Sequence, residues 1–420
     1  MVFHIGLSKV HSSWFKRTKN YGNSGQMVYK ESSGGGNDLW VIKKGGYMQN
    51  GIKHSLLLAI VGCLAAILLI SGCPRSSSTD GCIGGSCGPH SIAFSSSGTV
   101  YLLGYLQLLA IDPTGNIILN GRTGNPFGWF SDMFSISKSG NIWEVTPDLD
   151  GYSSILMISN SQGNFVTQIT TDISILTSVI VSPSTDIGWV GGQNYTSTGI
   201  ITPELEALNI SGQTLTSFTL PANPTSNGDW ILSTVKLAIS PINGTIWAWS
   251  PGYLSGYSFT ELVYGPYPVN LLEVSYPYFI GCGTNEKWMA VNPVTNDIWM
   301  GSPATTTVLA LSPNGAVQFQ KNLDIYVSTM TVSPKTGNVW IGSNNKIEVL
   351  DPYGNIIKQL TIKNLNCITY IAVSPLDGTV WVGNSVKIGS TDKNIFILDE
   401  NGNIINSFYV PDWCFVPCPG

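Results

Sequence analysis

One pattern of apolar and polar residues returns along the chain between about residues 89 and 410. An apolar run ends in a Ser-Pro or Asn-Pro turn, and aromatic and β-branched residues then alternate with others, as in VSPKTGNVWIG at 332–342. Period-two alternation on both sides of a turn rich in Pro, Gly, Asn and Asp predicts an antiparallel hairpin. The aromatic residues that mark its second strand are Tyr101, Trp143, Trp189, Trp247, Trp299, Trp340 and Trp381.

A second hairpin follows the first in six of the seven units, for example LDPYGNII at 350–357; unit four lacks a clear copy around 262–269. Four strands in each unit and a repeat of roughly 47 residues are typical of propeller blades. The sequence therefore predicts an all-β fold, a seven-bladed β-propeller of four-stranded antiparallel blades at 89–410. A β-solenoid is the alternative, but its repeats are usually shorter and more even in length.

The inner strand ending in Ser-Pro, the Gly-x-Val-Trp-Val strand and the Val-Leu-Asp-Pro-x-Gly-Asn hairpin resemble the NHL, YVTN and streptogramin-lyase-like group of propellers. The resemblance covers residues 89–410 and implies the fold, because these residues are the ones that each blade needs in order to fold. It also implies that a lyase of this group would use a histidine and glutamates near the channel mouth. Here His90 is the one histidine after Cys73, and Glu144 is the one near match to such a glutamate.

An uncharged stretch at 55–70, SLLLAIVGCLAAILLI, precedes the sequence Ile-Ser-Gly-Cys at 70–73. It is shorter than the roughly 20 residues of a membrane-spanning helix and fits the apolar region of a signal peptide at 48–72. Residues 70–73 resemble the lipobox of bacterial lipoproteins, which implies a lipid anchor on Cys73. An uncleaved signal anchor and ordinary secretion are the alternatives, and all three place the remaining chain outside the cytoplasm.

Residues 1–47 carry basic and Gly/Ser-rich stretches without periodicity. Because a secretory signal normally begins near its own initiator, we expect Met48 to be the true start. The alternative is a short disordered cytoplasmic tail, basic as the positive-inside rule requires.

Charge narrows the possible partners. Only 11% of the residues are charged, and from Cys73 onward 12 Lys and Arg face 23 Asp and Glu. A chain this acidic lacks the basic patch that nucleic-acid binding needs, so we expect no nucleic-acid partner.

Four cysteines flank the predicted ring, in the linker at 73–88 and in the C-terminal segment at 411–420. These segments meet where blade 7 adjoins blade 1, and the compartment is oxidising, so we expect at least one disulfide among them, with the pairing open. A four-cysteine zinc site is the alternative. Two further cysteines, Cys282 and Cys367, precede strands of non-neighbouring blades and are expected to be buried free thiols. The four flanking cysteines are Cys82, Cys87, Cys414 and Cys418.

Candidate ligand-binding residues come from the loops at one mouth of the channel, which are longest in units three to five. Aromatic side chains on the loops of a rigid scaffold can stack on sugar rings or anchor a protein partner. Trp288 is excluded because it directly precedes an inner strand and should pack between blades. The candidates are Trp129, Asn194, Tyr195, Trp230, Tyr253, Tyr257, Tyr276 and Tyr278.

Asp148 and Asp150 stand before Gly151, like the start of a calcium loop. The match is four residues long and lacks the distal Glu, so it favours a solvated turn over a calcium site. No other cofactor is expected. The sequence thus favours a monomeric, lipid-anchored propeller that binds an envelope glycan or a protein. The alternatives are an enzyme, a lyase or hydrolase acting through Glu144, Asp148 and Asp150, and a purely structural module.

Overall fold

The computed structural model describes two compact units, Met1–Ser77 and Ser78–Gly420. In the first unit it describes β1 (Tyr29–Glu31) and β2 (Leu39–Val41), which pair as an antiparallel two-stranded sheet within the stretch for which no periodicity was found. In the second unit, the described residues are 86–87, 89, 91–104, 107–122, 134–147, 153–195, 201–222, 235–269, 288–303, 305–387 and 392–410.

Seven four-stranded antiparallel sheets follow one another along the second unit, which confirms the predicted seven-bladed β-propeller. Apart from β3 (Ser86–Cys87) and β30 (Val386–Lys387), which pair with each other, every strand among the described residues of this unit belongs to a blade. Blade 1 is β4 (Ser91–Phe94), β5 (Val100–Leu103), β6 (Gln107–Ile111) and β7 (Ile117–Arg122); blade 2 is β8 (Phe134–Ile136), β9 (Ile142–Pro147), β10 (Ser154–Ser159) and β11 (Phe165–Ile169); blade 3 is β12 (Ile175–Val181), β13 (Gly188–Tyr195), β14 (Ile201–Leu208) and β15 (Thr214–Thr219); blade 4 is β16 (Lys236–Ile239), β17 (Ile246–Ser250), β18 (Tyr253–Tyr257) and β19 (Leu262–Pro268); blade 5 is β20 (Trp288–Val291), β21 (Ile298–Gly301), β22 (Thr307–Leu311) and β23 (Val317–Asn322); blade 6 is β24 (Thr329–Val332), β25 (Val339–Ser343), β26 (Lys346–Leu350) and β27 (Ile356–Thr361); blade 7 is β28 (Ile368–Val373), β29 (Val380–Asn384), β31 (Ile395–Leu398) and β32 (Ile404–Phe408).

The recurrent aromatic residue of each second strand is buried, as expected for a packing residue. In blade 6, Trp340 lies opposite Thr331 on the first strand and Val349 on the third strand. Because each sheet stands radially, both of its faces pack against a neighbouring blade, and most buried apolar residues belong to clusters shared by two blades. Unit four does have its second hairpin, β18–β19, although the sequence shows no clear copy there.

Strands alternate in direction, so the turns between strands 1 and 2 and between strands 3 and 4 lie on one face of the ring, which we call the lower face. Consecutive turns hydrogen-bond across blades: the Ser139 N–H donates to Asp186 Oδ1 at 2.9 Å, and Asn292 Nδ2 donates to the Gly337 carbonyl at 2.8 Å. Gly337 adopts a φ of +74°, which explains why glycine recurs in this turn. The opposite face, with the connections between strands 2 and 3 and between consecutive blades, is the upper face.

The ring closes without a strand that is shared by the two ends of the chain. This is expected, because each blade is formed by one contiguous stretch of the sequence. Strands β4 to β7 form blade 1 alone, and blade 7 packs against them through an apolar cluster that includes Ile92 and Trp381. A polar contact adds to this packing, because Thr369 Oγ1 donates to the Pro89 carbonyl at 2.7 Å. The β3–β30 pair attaches the N-terminal segment to blade 7.

The described residues include no helix that is long and apolar enough to cross a membrane. The predicted signal peptide at 48–72 and Cys73 lie outside the described residues.

Candidate functional site

The upper mouth of the channel is lined by one structurally equivalent position in every blade, four residues before the turn that follows the first strand. At neighbouring positions the blades repeat similar residue types, but here only the serines of blades 1 and 3 are alike. In blade 2 the position is Met133, which lies outside the described residues. The others, in order from blade 1, are Ser91, Ser178, Lys236, Trp288, Thr329 and Tyr370.

These side chains divide the mouth into an aromatic part and a polar part. The rings of Trp288 in blade 5 and Tyr370 in blade 7 meet edge to face with centroids 5.3 Å apart. Thr329 lies in the blade between them, and its Oγ1 accepts a hydrogen bond of 3.2 Å from the Ile371 N–H. Ser178 and Lys236 occupy the neighbouring blades 3 and 4. Apart from Tyr370, the described side chains at this position are at most 4% exposed, and Trp288 packs between blades 5 and 6 as the sequence predicts. Aromatic faces beside polar groups are the combination that binds a sugar or a peptide.

Lys236 is the functional candidate that the sequence reasoning missed. It is the first residue of β16, faces Trp249 across the strand pair and is only 1% exposed. A buried ammonium must be compensated by a partner, because its desolvation is costly. The available signal was that Lys236 is the one charged residue among the seven equivalent positions.

Glu144, the near match to the lyase glutamates, is also buried near this mouth. It lies on β9 opposite Phe134, the first residue of β8, and opposite Met157 on β10. Asp148 and Asp150, the proposed calcium ligands and acid partners of Glu144, lie outside the described residues. Within the described part of the chain, no group of three His, Cys, Asp or Glu residues could hold a metal ion.

The predicted ligand-binding residues fall into three groups. Trp129, Trp230, Tyr276 and Tyr278 lie outside the described residues. Asn194 and Tyr195 end β13, and Asn194 Oδ1 accepts hydrogen bonds from the Ser174 N–H at 2.6 Å and the Ser174 hydroxyl at 2.9 Å. This Asn194 contact ties the end of β13 to the connection from blade 2.

Two predicted residues lie on a strand and not in a loop. Tyr253 and Tyr257 are the ends of β18, so their expected place in a mouth loop is wrong. Tyr253 is half-buried, while Tyr257 is 3% exposed and packs on Phe218 with ring centroids 4.8 Å apart. The reason is the second hairpin of unit four, which the sequence did not reveal. Tyr257 therefore belongs to the packing between blades 3 and 4.

A second buried charge lies between blades 2 and 3. Glu206 on β14 is 1% exposed, and its carboxylate accepts a hydrogen bond from the Asp172 N–H. Burial raises the pKa of Glu206 to about 7, and the negative charges of Asp172 and Glu204 add to this effect. Glu348 in blade 6 occupies the corresponding place and accepts from the Asp324 N–H at 3.3 Å.

One cysteine expectation is wrong. Cys367 is buried as expected, but it is disulfide-bonded and not a free thiol. Its carbonyl accepts a 2.7 Å hydrogen bond from the Ser385 N–H, beside Val386, which pairs with Cys87 in β3. Its position in the sequence, between blades 6 and 7, does not reveal this neighbourhood. The side chains of the seven other cysteines lie outside the description, so a disulfide among Cys82, Cys87, Cys414 and Cys418 stays a prediction.

Seven radial blades with a non-repeating layer of residues at one mouth define the class of protein, a seven-bladed β-propeller. Solved structures that are similar to this chain include two lyases. The virginiamycin B lyase from Staphylococcus aureus shares 12% identity, with a TM-score of 0.48 over 71% of this chain and 92% of that one. A streptogramin B lyase shares 16% identity, with a TM-score of 0.47 over 71% of this chain and 90% of that one.

The resemblance to streptogramin-lyase-like propellers is confirmed at the level of the fold. No protein-family model matches the chain, and no curated protein matches it.

Proposed function

We propose that the protein is an extracytoplasmic, lipid-anchored β-propeller that binds an envelope glycan or a protein at the upper mouth of its channel. The fold limits where a ligand can bind, because the repeated residues of each blade are used for packing. Ligand contacts must come from positions at which the blades differ.

The observation that supports ligand binding at the upper mouth is that equivalent positions there differ between blades. If these positions served only to pack seven similar blades, similar residues would recur, as they do at the buried tryptophans. Instead the layer combines a buried lysine, Lys236, with the rings of Trp288 and Tyr370. It also contains three hydroxyl groups, those of Ser91, Ser178 and Thr329. This mixture provides both the polar and the stacking contacts of a ligand site.

The anchor and the location rest on the sequence alone. An apolar stretch ending in Ile-Ser-Gly-Cys at 70–73 supports acylation of Cys73, and the acidic charge supports the absence of nucleic-acid partners. One acyl chain holds a protein to a membrane only weakly, so firm attachment needs the several chains of a mature bacterial lipoprotein. The wild-type protein should then begin at Cys73 and carry the acyl mass there, and the full chain expressed with Cys73→Ser should lack this mass. A wild-type protein without acyl mass on Cys73 would exclude the lipid anchor.

The ligand is tested by thermal unfolding of the protein with calcium and with a panel of envelope and extracellular glycans. A ligand that binds only the folded state raises the melting temperature by mass action. We expect a rise with at least one glycan and its loss in Lys236→Met. The matched control is Lys346→Met, which removes an exposed lysine from blade 6.

The other outcomes distinguish the alternatives. No shift across the panel would reject glycan binding and favour a protein-interaction scaffold, which crosslinking in the intact envelope would then examine. Breakdown of a polymer that is lost in Glu144→Ala would overturn the binding proposal in favour of a lyase or hydrolase. Trp230→Ala and Tyr253→Ala test whether the candidate loop and strand residues contribute to the same site.

A further inference from the structure

Five of the seven junctions between consecutive blades share one close contact. The glycine of the turn between strands 3 and 4 packs against a side chain of the fourth strand in the preceding blade, so closely that a Cβ on the glycine would overlap it. This contact brings the outer halves of neighbouring blades together. The pairs are Gly163 with Leu119, Gly212 with Ile169, Gly315 with Tyr267, Gly354 with Phe319, and Gly402 with Leu360. The junction between blades 3 and 4 does not have this contact, because the corresponding turn of blade 4, at 258–261, contains no glycine.

The junction between blades 7 and 1 lacks this contact. A Cβ on Gly115, the corresponding glycine of blade 1, would meet no atom within 4 Å. Two positions of the fourth strand make this contact in the other blades. Asn406 is equivalent to Leu119 and Phe319 and is shorter than either, whereas Phe408 is equivalent to Ile169 and Leu360. A cleft of about 760 Å³ lies here, and Gly115 and Asn406 line it.

One wall of the cleft is aromatic. Phe94 of blade 1 lies edge to face with Trp381 of blade 7, with ring centroids 6.3 Å apart. Trp381 lies edge to face with Phe408, with centroids 6.0 Å apart. All three side chains line the cleft. Aromatic rings grouped in this way provide the negative π-faces that attract an organic cation.

Two carboxylates, Asp112 and Asp377, also line the cleft, and the described residues of its lining include no Lys, Arg or His. Hydrogen bonds from the Thr114 hydroxyl and the Asn116 N–H lower the pKa of Asp112 to about 2. Partial burial acts to raise the pKa of Asp377, but hydrogen bonds from Ser374 and Thr379 outweigh it and hold this pKa below its usual range. Both groups are therefore anionic at neutral pH, with no cation in the lining to neutralise them.

We propose that the cleft between blades 7 and 1 binds an organic ammonium group carried on a small apolar ligand. The three rings would enclose the apolar part and face the cation, and Asp112 and Asp377 would supply the opposite charge. A quaternary ammonium fits best, because it is weakly hydrated and asks for no hydrogen-bond acceptors of its own. A zwitterion with an adjacent phosphate fits poorly, since its anion would meet the two carboxylates without a basic partner. This site is separate from the proposed site at the upper mouth.

The probe is choline, and 3,3-dimethylbutan-1-ol serves as its uncharged isostere. Calorimetric titration of the full chain should show binding of choline and at least five-fold weaker binding of the alcohol, which corresponds to about 1 kcal/mol of cation–π and charge attraction. Asp112→Asn and Asp377→Asn should each weaken choline binding several-fold, because the amide oxygen can preserve the turn while the charge is lost.

Asp399→Asn is the matched control. Asp399 makes the same turn contacts in blade 7, with the Asn403 N–H at 2.8 Å, but does not line the cleft. A second variant, Asn406→Phe, should fill the cleft as Phe319 fills the junction of blades 5 and 6, and should abolish binding while the fold is retained. Equal binding of the alcohol, full affinity in both aspartate variants, or choline binding to folded Asn406→Phe would overturn the proposal.

Discussion

Glu206 makes the stability of the protein depend on pH in a direction that is unusual for a carboxylate. Its pKa is about 7 in the folded protein, against an ordinary value of 4.5, because the side chain is buried beside Asp172 and Glu204. Between these two values the folded chain binds more protons than the unfolded chain. Stability is therefore highest below pH 4.5, falls as the pH rises towards 7, and is level above 7 as far as this group is concerned.

The magnitude follows from the pKa difference. At 1.36 kcal/mol for each pH unit, a rise from 4.5 to about 7 costs roughly 3 kcal/mol once Glu206 must be buried as a carboxylate. Glu206→Gln keeps the shape and removes the charge. We expect this variant to be more stable than the wild type by about 3 kcal/mol at pH 8, and to differ little from it at pH 4.5.

Urea unfolding at several pH values between 4.5 and 8 measures the free energy of unfolding of the wild type and of Glu206→Gln. Asp172→Asn removes one repelling charge but keeps the backbone N–H that donates to Glu206, so its gain at pH 8 should be smaller than that of Glu206→Gln. Glu261→Gln, at an exposed turn, is the control for removing a negative charge in general. If the wild type and Glu206→Gln gave parallel stability curves against pH, the inferred cost of burying this carboxylate would be refuted.

Two further predictions concern packing and the last strand. A Cβ on Gly188 would lie 2.3 Å from the Trp143 ring, so Gly188→Ala should destabilise the fold by about 1–3 kcal/mol, while Gly121→Ala, with its nearest atom at 3.7 Å, should not. Denaturant unfolding of the two variants checks the difference. The Asn394 amide donates to the Val410 carbonyl and accepts from the Val410 N–H, both at 2.8 Å. Asn394→Ala should therefore speed hydrogen exchange at the Val410 amide. Unchanged exchange there would show that the two hydrogen bonds of Asn394 do not hold the Val410 backbone in place.

The fold could be predicted from the sequence because each blade is specified locally. The Ser-Pro turn, the glycine with positive φ and the buried tryptophan lie within about a dozen residues, and the same signals return in every unit. Seven copies make the prediction robust even where one copy is unclear, as in β18–β19. That one unclear copy misplaced Tyr253 and Tyr257, because a missed hairpin turns strand residues into apparent loop residues.

The candidate sites, in contrast, depend on how the ring closes. Phe94 and Trp381 lie near opposite ends of the propeller sequence, and only the contact of blade 7 with blade 1 places them in one cleft. Trp288 and Tyr370 come from different blades in the same way. The sequence by itself determined the repeating blade, since adjacent residues specify its turns and strands. The tertiary structure decided which non-repeating side chains meet, because their neighbours come from other blades and their burial depends on the complete ring.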